Sequence, residues 1–259
     1  MNAYLEAMVA AAQAAGRILK EARAQGPAWI EEKGRNDYVT SADKACEEVI
    51  QATLVKAFPG VPLLAEEGSG SASGREGLFF CVDPLDGTNN FVHRVPVYCV
   101  SVGLIEGGRP NLGVIYDPVH DELFCGGEGE GPTMNGRPFA TSGRTDPGGA
   151  FVATGFPFKE LDHLDGYTEG FRRMVLATAG IRRCGAAALD LAWTACGRFD
   201  GFWERGLWPW DVAAGAAILR AAGGDCCDFA GGGDYLFGRT IVAGATPTLC
   251  RTLQGLVEV

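Results

Sequence analysis

The chain contains 259 residues, of which 47% are hydrophobic and 21% are charged, and this balance excludes an intrinsically disordered protein. Its formal net charge of −10 repels the phosphate backbone of nucleic acids, which argues against direct nucleic-acid binding. The same charge repels a small phosphorylated ligand unless bound cations neutralise the carboxylates where that ligand docks. The composition therefore favours a metal site for any such ligand.

The cysteines and the N-terminal stretch indicate the compartment. Nine cysteines, an odd number without Cys-x-x-Cys spacing, predict reduced and mostly buried thiols. Glu6, Gln13, Arg17 and Lys20 interrupt the alanine-rich N-terminal stretch before it reaches the length of a signal peptide or membrane span. We therefore expect a cytoplasmic protein that does not bind membranes.

The N-terminal part of the chain predicts two helices. Apolar residues recur at helical spacing from Leu5 to Leu19, and this segment ends near Gly26. Thr40 and Asp43 have the spacing of a capping box, which predicts that a second helix begins there and continues to the break at 59–60.

The rest of the chain alternates irregularly between predicted strands and helices. Short apolar runs bounded by Gly, Pro, Asp or Asn predict strands at 61–65, 78–82, 97–105, 112–116, 201–204 and 240–243. Helical spacing predicts helices at 167–179, 187–196 and 212–222. This order favours an α+β fold in a single domain spanning 1–259, with one lobe at 1–145 and the other at 146–259.

The most informative segment is 79–88, where an apolar strand leads directly into two aspartates. Pro84 fixes the backbone between Asp83 and Asp86, and Gly87 permits close approach of a ligand. Carboxylate oxygens are the ligands that hard divalent cations prefer. Asp-Pro and Asp-Gly are also ordinary turn formers, so this segment alone leaves both interpretations open.

Two further segments carry carboxylates at the end of a buried element. Glu66 and Glu67 follow the apolar run at 61–65, although a solvated loop position explains Glu67 equally well. Asp211 opens an apolar helix, where it has a simple alternative role as an N-cap. The neighbouring Trp208 and Trp210 instead favour a binding site that is bordered by their aromatic rings. These carboxylates can therefore meet at one site.

Together these segments resemble the inositol monophosphatase family, within the magnesium-dependent, lithium-sensitive sugar phosphatases. The resemblance covers nearly the whole chain and rests on Ala65-Glu66-Glu67, Asp83-Pro-Leu-Asp86-Gly-Thr88 and Trp210-Asp211-Val-Ala-Ala-Gly215, supported by 33–37 and 40–43. It implies a layered αβαβα sandwich with the metal site between two lobes. Members of this family are commonly homodimers, so the resemblance implies that this chain forms a homodimer.

The resemblance also implies a role for individual residues. Glu66, Asp83 and the Leu85 carbonyl would hold one Mg²⁺ ion, and Asp83, Asp86 and Asp211 a second. A third, weaker ion would contact Glu66. The implied catalytic residues are Thr88, Asp43 and Glu66, with Thr88 orienting the attacking water. The implied substrate contacts are Lys33, Asp86, Gly87, Thr88, Ala187, Glu204 and Asp211. Ala186 stands where the family usually has Ser or Thr, so one polar contact with a polyol is in doubt.

The expected chemistry is hydrolysis of a phosphate monoester by metal-activated water. Phosphate monoesters hydrolyse very slowly, and two Mg²⁺ ions activate water, stabilise the leaving group and neutralise phosphate oxygens. No cysteine is followed by five residues and an arginine, and no histidine lies in an Arg-His-Gly loop. The extra residue between Asp83 and Asp86 breaks the Asp-x-Asp-Gly-Thr pattern of aspartyl-phosphate hydrolases. We therefore expect a phosphatase of inositol 1-phosphate or a similar phosphorylated polyol.

Two kinds of alternative remain open. Histidinol phosphate, fructose 1,6-bisphosphate and nucleotide phosphates are substrates of the same superfamily, whose metal motifs are shared. From another class, some bacterial relatives associate with the transcription machinery, so the chain could instead be a regulatory binding protein.

Overall fold

The computed structural model describes residues 2–34, 37–68, 75–158 and 160–257, apart from the side chains of Lys33, Gly34 and Asp37. The described residues form the helices α1 Ala3–Gln25, α2 Ser41–Ala57, α3 Thr88–Val92, α4 Leu164–Ala177, α5 Ala187–Ala195, α6 Pro209–Ala221 and α7 Pro247–Val257. The strands are β1 Ile30–Gly34, β2 Asp37–Thr40, β3 Leu63–Ala65, β4 Leu78–Asp86, β5 Cys99–Glu106, β6 Arg109–Asp117, β7 Glu122–Gly127, β8 Glu130–Met134, β9 Arg137–Pro138, β10 Phe151–Thr154, β11 Gly180–Arg182, β12 Gly201–Arg205, β13 Asp225–Cys227 and β14 Thr240–Gly244.

Both predicted N-terminal helices are confirmed, and each begins at a side-chain cap. The Asn2 side chain accepts from the backbone N–H of Tyr4 at the start of α1. At the start of α2, the backbone N–H of Thr40 donates to Asp43 Oδ2 over 2.8 Å, and Thr40 Oγ1 accepts from Ala42 N over 3.1 Å. The predicted capping box therefore fixes the entry of α2 and the position of Asp43.

Two larger sheets follow along the chain. The seven-stranded sheet has the order β3-β4-β5-β6-β7-β8-β9, and its β3–β4 pair is parallel while the other pairs are antiparallel. The five-stranded sheet has the order β11-β10-β12-β14-β13 and is mixed. A separate β1–β2 hairpin precedes α2.

Helices and sheets alternate in five layers. Helices α1 and α2 cover one face of the seven-stranded sheet, α5 and α6 lie between the two sheets, and α4 and α7 cover the outer face of the five-stranded sheet. Glycine permits the close contacts, since a Cβ atom on Gly113 of β6 would lie 2.1 Å from the Ala214 carbonyl oxygen of α6. The expected αβαβα class of fold is confirmed.

Several elements differ from the expectation. Strand β4 continues through both aspartates, with a register irregularity between Asp83 and Asp86 opposite β5, so the turn begins later than the sequence predicts. Strands β1, β2, β7 to β11 and β13 and helices α3 and α7 were not predicted. Most of these strands are too short to show a period. Helix α7 was missed although its buried Leu249, Cys250, Leu253 and Val257 recur at helical spacing. None of the helices in the described ranges combines the length and apolar character that a membrane span requires.

Candidate active site

A cavity of about 170 Å³ between the two sheets collects most of the predicted site residues. Its lining includes Glu66, Asp83, Leu85, Asp86, Gly87, Thr88, Ala187, Glu204 and Asp211. These residues come from the ends of β3 and β4, the start of α3 and α5, strand β12 and the first turn of α6. Asp43 lies behind Thr88, and the side chain of Lys33 is outside the described residues. The fold thus brings together carboxylates from three separated segments.

Backbone donors hold the two aspartates of β4. Asp83 is 2% exposed and its Oδ1 accepts from the backbone N–H of Leu85 over 2.9 Å. Asp86 is 7% exposed and its Oδ2 accepts from Ala188 N, near the N-terminus of α5, over 2.7 Å. The Cys99 thiol also donates to Asp86 Oδ2, over 3.7 Å. These contacts fix both carboxylates without neutralising them.

The carboxylates of the cavity raise one another's pKa values. Burial raises the pKa of Asp83 well above its usual value, and the charges of Glu66, Asp86 and Asp211 raise it further. Burial and the charge of Asp211 raise the pKa of Asp86 to about 7. Unrelieved repulsion of this kind among buried oxygen ligands is what a bound divalent cation removes.

The chemistry of this donor set fits Mg²⁺, which prefers carboxylate and carbonyl oxygens. Among the described residues, no three His, Cys, Asp or Glu side chains already stand together as a finished metal cluster. The carboxylates thus line one cavity without standing as a compact cluster.

Thr88 connects the cavity to a buried carboxylate on α2. The Thr88 hydroxyl lies 3.2 Å from Asp43 Oδ1 and 3.0 Å from the Leu85 carbonyl oxygen, both of which accept from it. Asp43 is 1% exposed, and burial raises its pKa to about 6 despite its hydrogen bonds from Thr40. Because the hydroxyl proton is donated to these two acceptors, the Thr88 oxygen keeps a lone pair that can accept a hydrogen bond from a ligand in the cavity.

Glu47 is a supporting residue that the sequence did not reveal. Its side chain is 2% exposed, and its Oε2 accepts from the backbone N–H of Glu67 over 2.8 Å. The backbone N–H of Glu66 donates to the Val82 carbonyl oxygen over 3.2 Å. These bonds fix the backbone that carries Glu66. The sequence contains a sign of this role, because Glu47 lies four residues after Asp43 and therefore on the same face of α2.

Asp211 does not open its helix as the sequence suggested. The N-cap of α6 is Trp208, Pro209 occupies the first position, and Asp211 is the third residue. Asp211 Oδ2 accepts from the backbone N–H of Trp208 over 2.7 Å, as the acidic member of a capping box does. The N-cap interpretation was wrong because Pro209 shifts the start of the helix towards the N-terminus. The rings of Trp208 and Trp210 stack at 5.4 Å.

The loop before α5 contacts the turn after β4. Gly87 has a φ of 91°, and a Cβ atom there would lie 2.9 Å from the Val97 carbonyl oxygen and 3.3 Å from Ala186 Cβ. Ala186 itself is 1% exposed. The residue that replaces the family's usual Ser or Thr therefore packs against Gly87 in the interior.

Another part of the cavity lining combines charge and aromatic rings. Glu204 of β12 fits there because Gly155 has no side chain, since a Cβ atom on Gly155 would lie 1.9 Å from Glu204 Cδ. The exposed Arg183, which sequence reasoning missed, also lines the cavity, and its guanidinium lies 5.7 Å and 5.4 Å from the ring centroids of Phe156 and Phe158. Only the fold brings these distant residues together.

The family model described as "Inositol monophosphatase family" matches residues 1–258. The chain belongs to the inositol monophosphatase family. A relative from Pseudomonas aeruginosa named "Nus factor SuhB" is 44% identical over 252 residues, covering 95% of this chain and 93% of that protein. The "Inositol-1-monophosphatase" of Mesorhizobium japonicum is 41% identical over 245 residues, covering 94% of this chain and 92% of that protein.

A solved structure agrees with this membership. The crystal structure of "extragenic suppressor protein suhB" from Bartonella henselae has a TM-score of 0.92 and 39% identity, and covers 99% of each chain. Membership of the inositol monophosphatase family supports a phosphatase of that superfamily, which is generally magnesium-dependent. The relatives' names include both a phosphatase and a Nus factor.

Proposed function

We propose that the chain is a Mg²⁺-dependent phosphomonoesterase that hydrolyses inositol 1-phosphate, or a similar phosphorylated polyol, to the free polyol and phosphate. The observation that carries this proposal is the convergence of Glu66, Asp83, Asp86 and Asp211 on one cavity, where burial and mutual repulsion raise the pKa values of Asp83 and Asp86. A salt-bridge network would surround Asp83 and Asp86 with cationic side chains, whereas the charges that act on these two are those of other carboxylates.

The proposed metal ligands are those that the family resemblance implied. Glu66, Asp83 and the Leu85 carbonyl would hold one ion, Asp83, Asp86 and Asp211 a second, and Glu66 would also contact a third. When bound, the ions activate water, neutralise phosphate oxygens and stabilise the leaving oxygen. The side chains of Asp83 and Asp86 are already fixed by backbone N–H groups, which limits the conformational entropy lost on binding.

Thr88 and Asp43 are proposed to orient the attacking water. The Thr88 hydroxyl donates to Asp43 and the Leu85 carbonyl, so the Thr88 oxygen accepts a hydrogen bond from the water and directs the water's lone pair towards phosphorus. The backbone N–H groups of Gly87 and Thr88 are proposed to bind phosphate oxygens.

Glu204 is proposed to accept hydrogen bonds from the polyol hydroxyls. It lines the same cavity as Asp83 and Asp86, into which a sugar or inositol ring would extend from the phosphate. Ala187, Asp211 and Lys33 complete the proposed set of substrate contacts. Since Ala186 is buried against Gly87, this loop offers the polyol no hydroxyl at that position.

A substrate panel tests this proposal. Purified protein is assayed for phosphate release from inositol 1-phosphate, histidinol phosphate, fructose 1,6-bisphosphate and a nucleotide 3′,5′-bisphosphate, with Mg²⁺, with chelator, and with Mg²⁺ plus Li⁺. We expect the highest kcat/KM with inositol 1-phosphate, no turnover with chelator, and inhibition by Li⁺. Preference for another substrate replaces the polyol assignment, and turnover that survives chelation contradicts the metal mechanism.

The names of the relatives favour a second candidate function. A protein 44% identical to this chain is named "Nus factor SuhB". We propose that this chain also binds a protein component of the transcription machinery, because its net charge of −10 disfavours direct contact with RNA. Pull-down of purified transcription factors with wild type and with Asp83→Asn tests this, and we expect equal capture by both. Absence of capture contradicts the second function and leaves the phosphatase untouched.

We further propose that the protein is a cytoplasmic homodimer. Several apolar side chains at and before α4 are exposed, among them Leu164 at 46%, Val175 at 52% and Leu176 at 72%, and a second copy would cover them. Light scattering after size exclusion should give twice the mass of one chain, and the Leu176→Glu variant should have the mass of a single chain. A wild-type monomer would contradict the proposal.

A further inference from the structure

Two cysteines meet at the edge of the five-stranded sheet. Cys227 ends the edge strand β13, Cys250 lies in α7, and their Sγ atoms are 3.6 Å apart. Cys227 stands opposite Val242 in the β13–β14 register, and the Cys250 thiol donates to the Val242 carbonyl oxygen over 3.5 Å. Both sulfurs are therefore positioned by the same residue of β14.

The two thiols differ in accessibility. Cys250 is 1% exposed, whereas Cys227 is only partly buried and lies on the outermost strand. The hydrogen bond with Cys250 lowers the pKa of Cys227, while burial raises the pKa of Cys46 and Cys99. Cys227 is thus the more accessible thiol of the pair, its lowered pKa favours reaction with an oxidant, and a second thiol lies 3.6 Å away.

We propose that Cys227 and Cys250 form a redox-active pair that closes to a disulfide when the protein meets a peroxide. The Cys227 thiol releases its proton to solvent, its thiolate attacks a peroxide oxygen, and the O–O bond breaks. A sulfenic acid forms, and the displaced hydroxide takes up the released proton to give water. The Cys250 sulfur then attacks the sulfenic sulfur, its S–H proton leaves with the displaced hydroxyl as water, and the S–S bond forms. In sum, two thiols are oxidised and one hydrogen peroxide is reduced to two waters.

The disulfide would tie α7 to the edge of the sheet. Closing it requires the sulfurs to approach from 3.6 Å to about 2 Å, a small movement for the partly exposed Cys227. The bond would close a loop between positions 23 apart, which raises the melting temperature by roughly 5–10 °C. Strand β14 separates β13 from β12, which carries Glu204, so we expect phosphatase activity to change less than twofold.

Peroxide treatment of the full chain tests the pair. Folded protein is treated with hydrogen peroxide, remaining thiols are alkylated, and peptides are analysed by mass spectrometry without reduction. We expect a cross-linked peptide containing Cys227 and Cys250 that has lost two hydrogens, and reversal by dithiothreitol. Full alkylation of both residues after treatment, or a cross-link that uses Cys226 instead, overturns the proposal.

Three variants separate chemistry from structure. In Cys250→Ala the sulfenic acid on Cys227 should persist and be captured by dimedone, whereas Cys227→Ser should show neither capture nor cross-link. Cys196→Ser is the matched control, because Cys196 is also partly buried but donates to the Trp193 carbonyl oxygen. The control should keep the cross-link and the rise in melting temperature. A rise of equal size in Cys227→Ser would show that the stabilisation does not come from this bond.

Discussion

The lining of the cavity contains two groups of side chains, called here its buried and its exposed end. Asp83 and Asp86 of the buried, first end are 2% and 7% exposed, whereas Phe158 of the exposed, second end is 44% exposed. The first end is held by backbone N–H groups of Leu85 and Ala188. The second end also includes the exposed Arg183 and the half-buried Glu204.

This difference suggests that the buried side chains serve the chemistry and the exposed side chains serve substrate choice. Under the proposed function, fixed buried carboxylates would serve any phosphate monoester, because they would bind the part that all such substrates share. Exposed side chains can change without loss of the core, so they are suited to distinguish the alcohol portion. Variants at the first end should therefore affect every substrate, and variants at the second end should affect only some.

The largest effect is expected from Asp83→Asn. Loss of a carboxylate shared by two metal positions should lower kcat/KM for every substrate by more than about a thousandfold, the upper end of the loss when one electrostatic donor is removed. The melting temperature without metal should not fall, because the change removes a repulsive buried charge. Turnover near that of wild type at saturating Mg²⁺ would remove Asp83 from the proposed ligand set.

Thr88 should give the next largest effect. Thr88→Val removes the hydroxyl that is proposed to orient water, so kcat should fall by about a hundredfold for inositol 1-phosphate and for an aryl phosphate alike. Thr88→Ser is the matched control, since it keeps a hydroxyl within reach of Asp43. Steady-state kinetics should show much of the activity restored in the serine variant; equal losses in both would attribute the effect to packing.

Glu204→Gln tests the exposed end of the cavity. An ionised acceptor contributes about 1.5–3 kcal/mol to a hydrogen bond with a hydroxyl, so kcat/KM for inositol 1-phosphate should fall roughly tenfold to a hundredfold. An aryl phosphate lacks those hydroxyls, and its hydrolysis should change little. If both substrates lose activity equally, Glu204 does not contact the polyol and the two ends of the cavity are not separable.

The smallest effect is expected from Asp190→Asn, which concerns stability. Asp190 of α5 is 1% exposed, its Oδ1 lacks a hydrogen-bond partner among the described residues, and burial followed by the charge of Glu204 raises its pKa well above its usual value. A raised carboxyl pKa in the folded state contributes stability below the usual pKa, and this is lost as the pH rises towards the raised value. Without metal, the melting temperature of Asp190→Asn should therefore be about 2–6 °C higher than that of the wild type at pH 8. The difference should be smaller at pH 5.

Exposed Asp146 supplies the control for this comparison. Asp146→Asn should leave the pH dependence of the melting temperature unchanged, because that carboxylate remains solvated in both states. If the melting temperature of Asp190→Asn changes with pH as that of the wild type does, Asp190 does not cause the expected loss of stability at high pH.

Local patterns predicted a large part of the fold. The capping box of Thr40 and Asp43 and the helical spacing of α1 depend on neighbours in sequence, and both are present. Strands β10 and β13 have four and three residues and gain their hydrogen bonds from distant strands, so the local sequence carries little sign of them. Helix α7 packs on β14, and its start was overlooked although Thr246 Oγ1 accepts from the backbone N–H of Leu249 over 3.1 Å and Pro247 opens the helix.

By itself, the sequence determined the set of carboxylates and the family, because residue identity and order fix the donor chemistry. Only the tertiary structure decided how these residues are held: Asp211 at the third position of α6, Glu47 behind Glu67, and Ala186 packed against Gly87. The same holds for Arg183 in the cavity wall and for the contact between Cys227 and Cys250. Such placements depend on contacts between segments far apart in the chain, which no local propensity encodes.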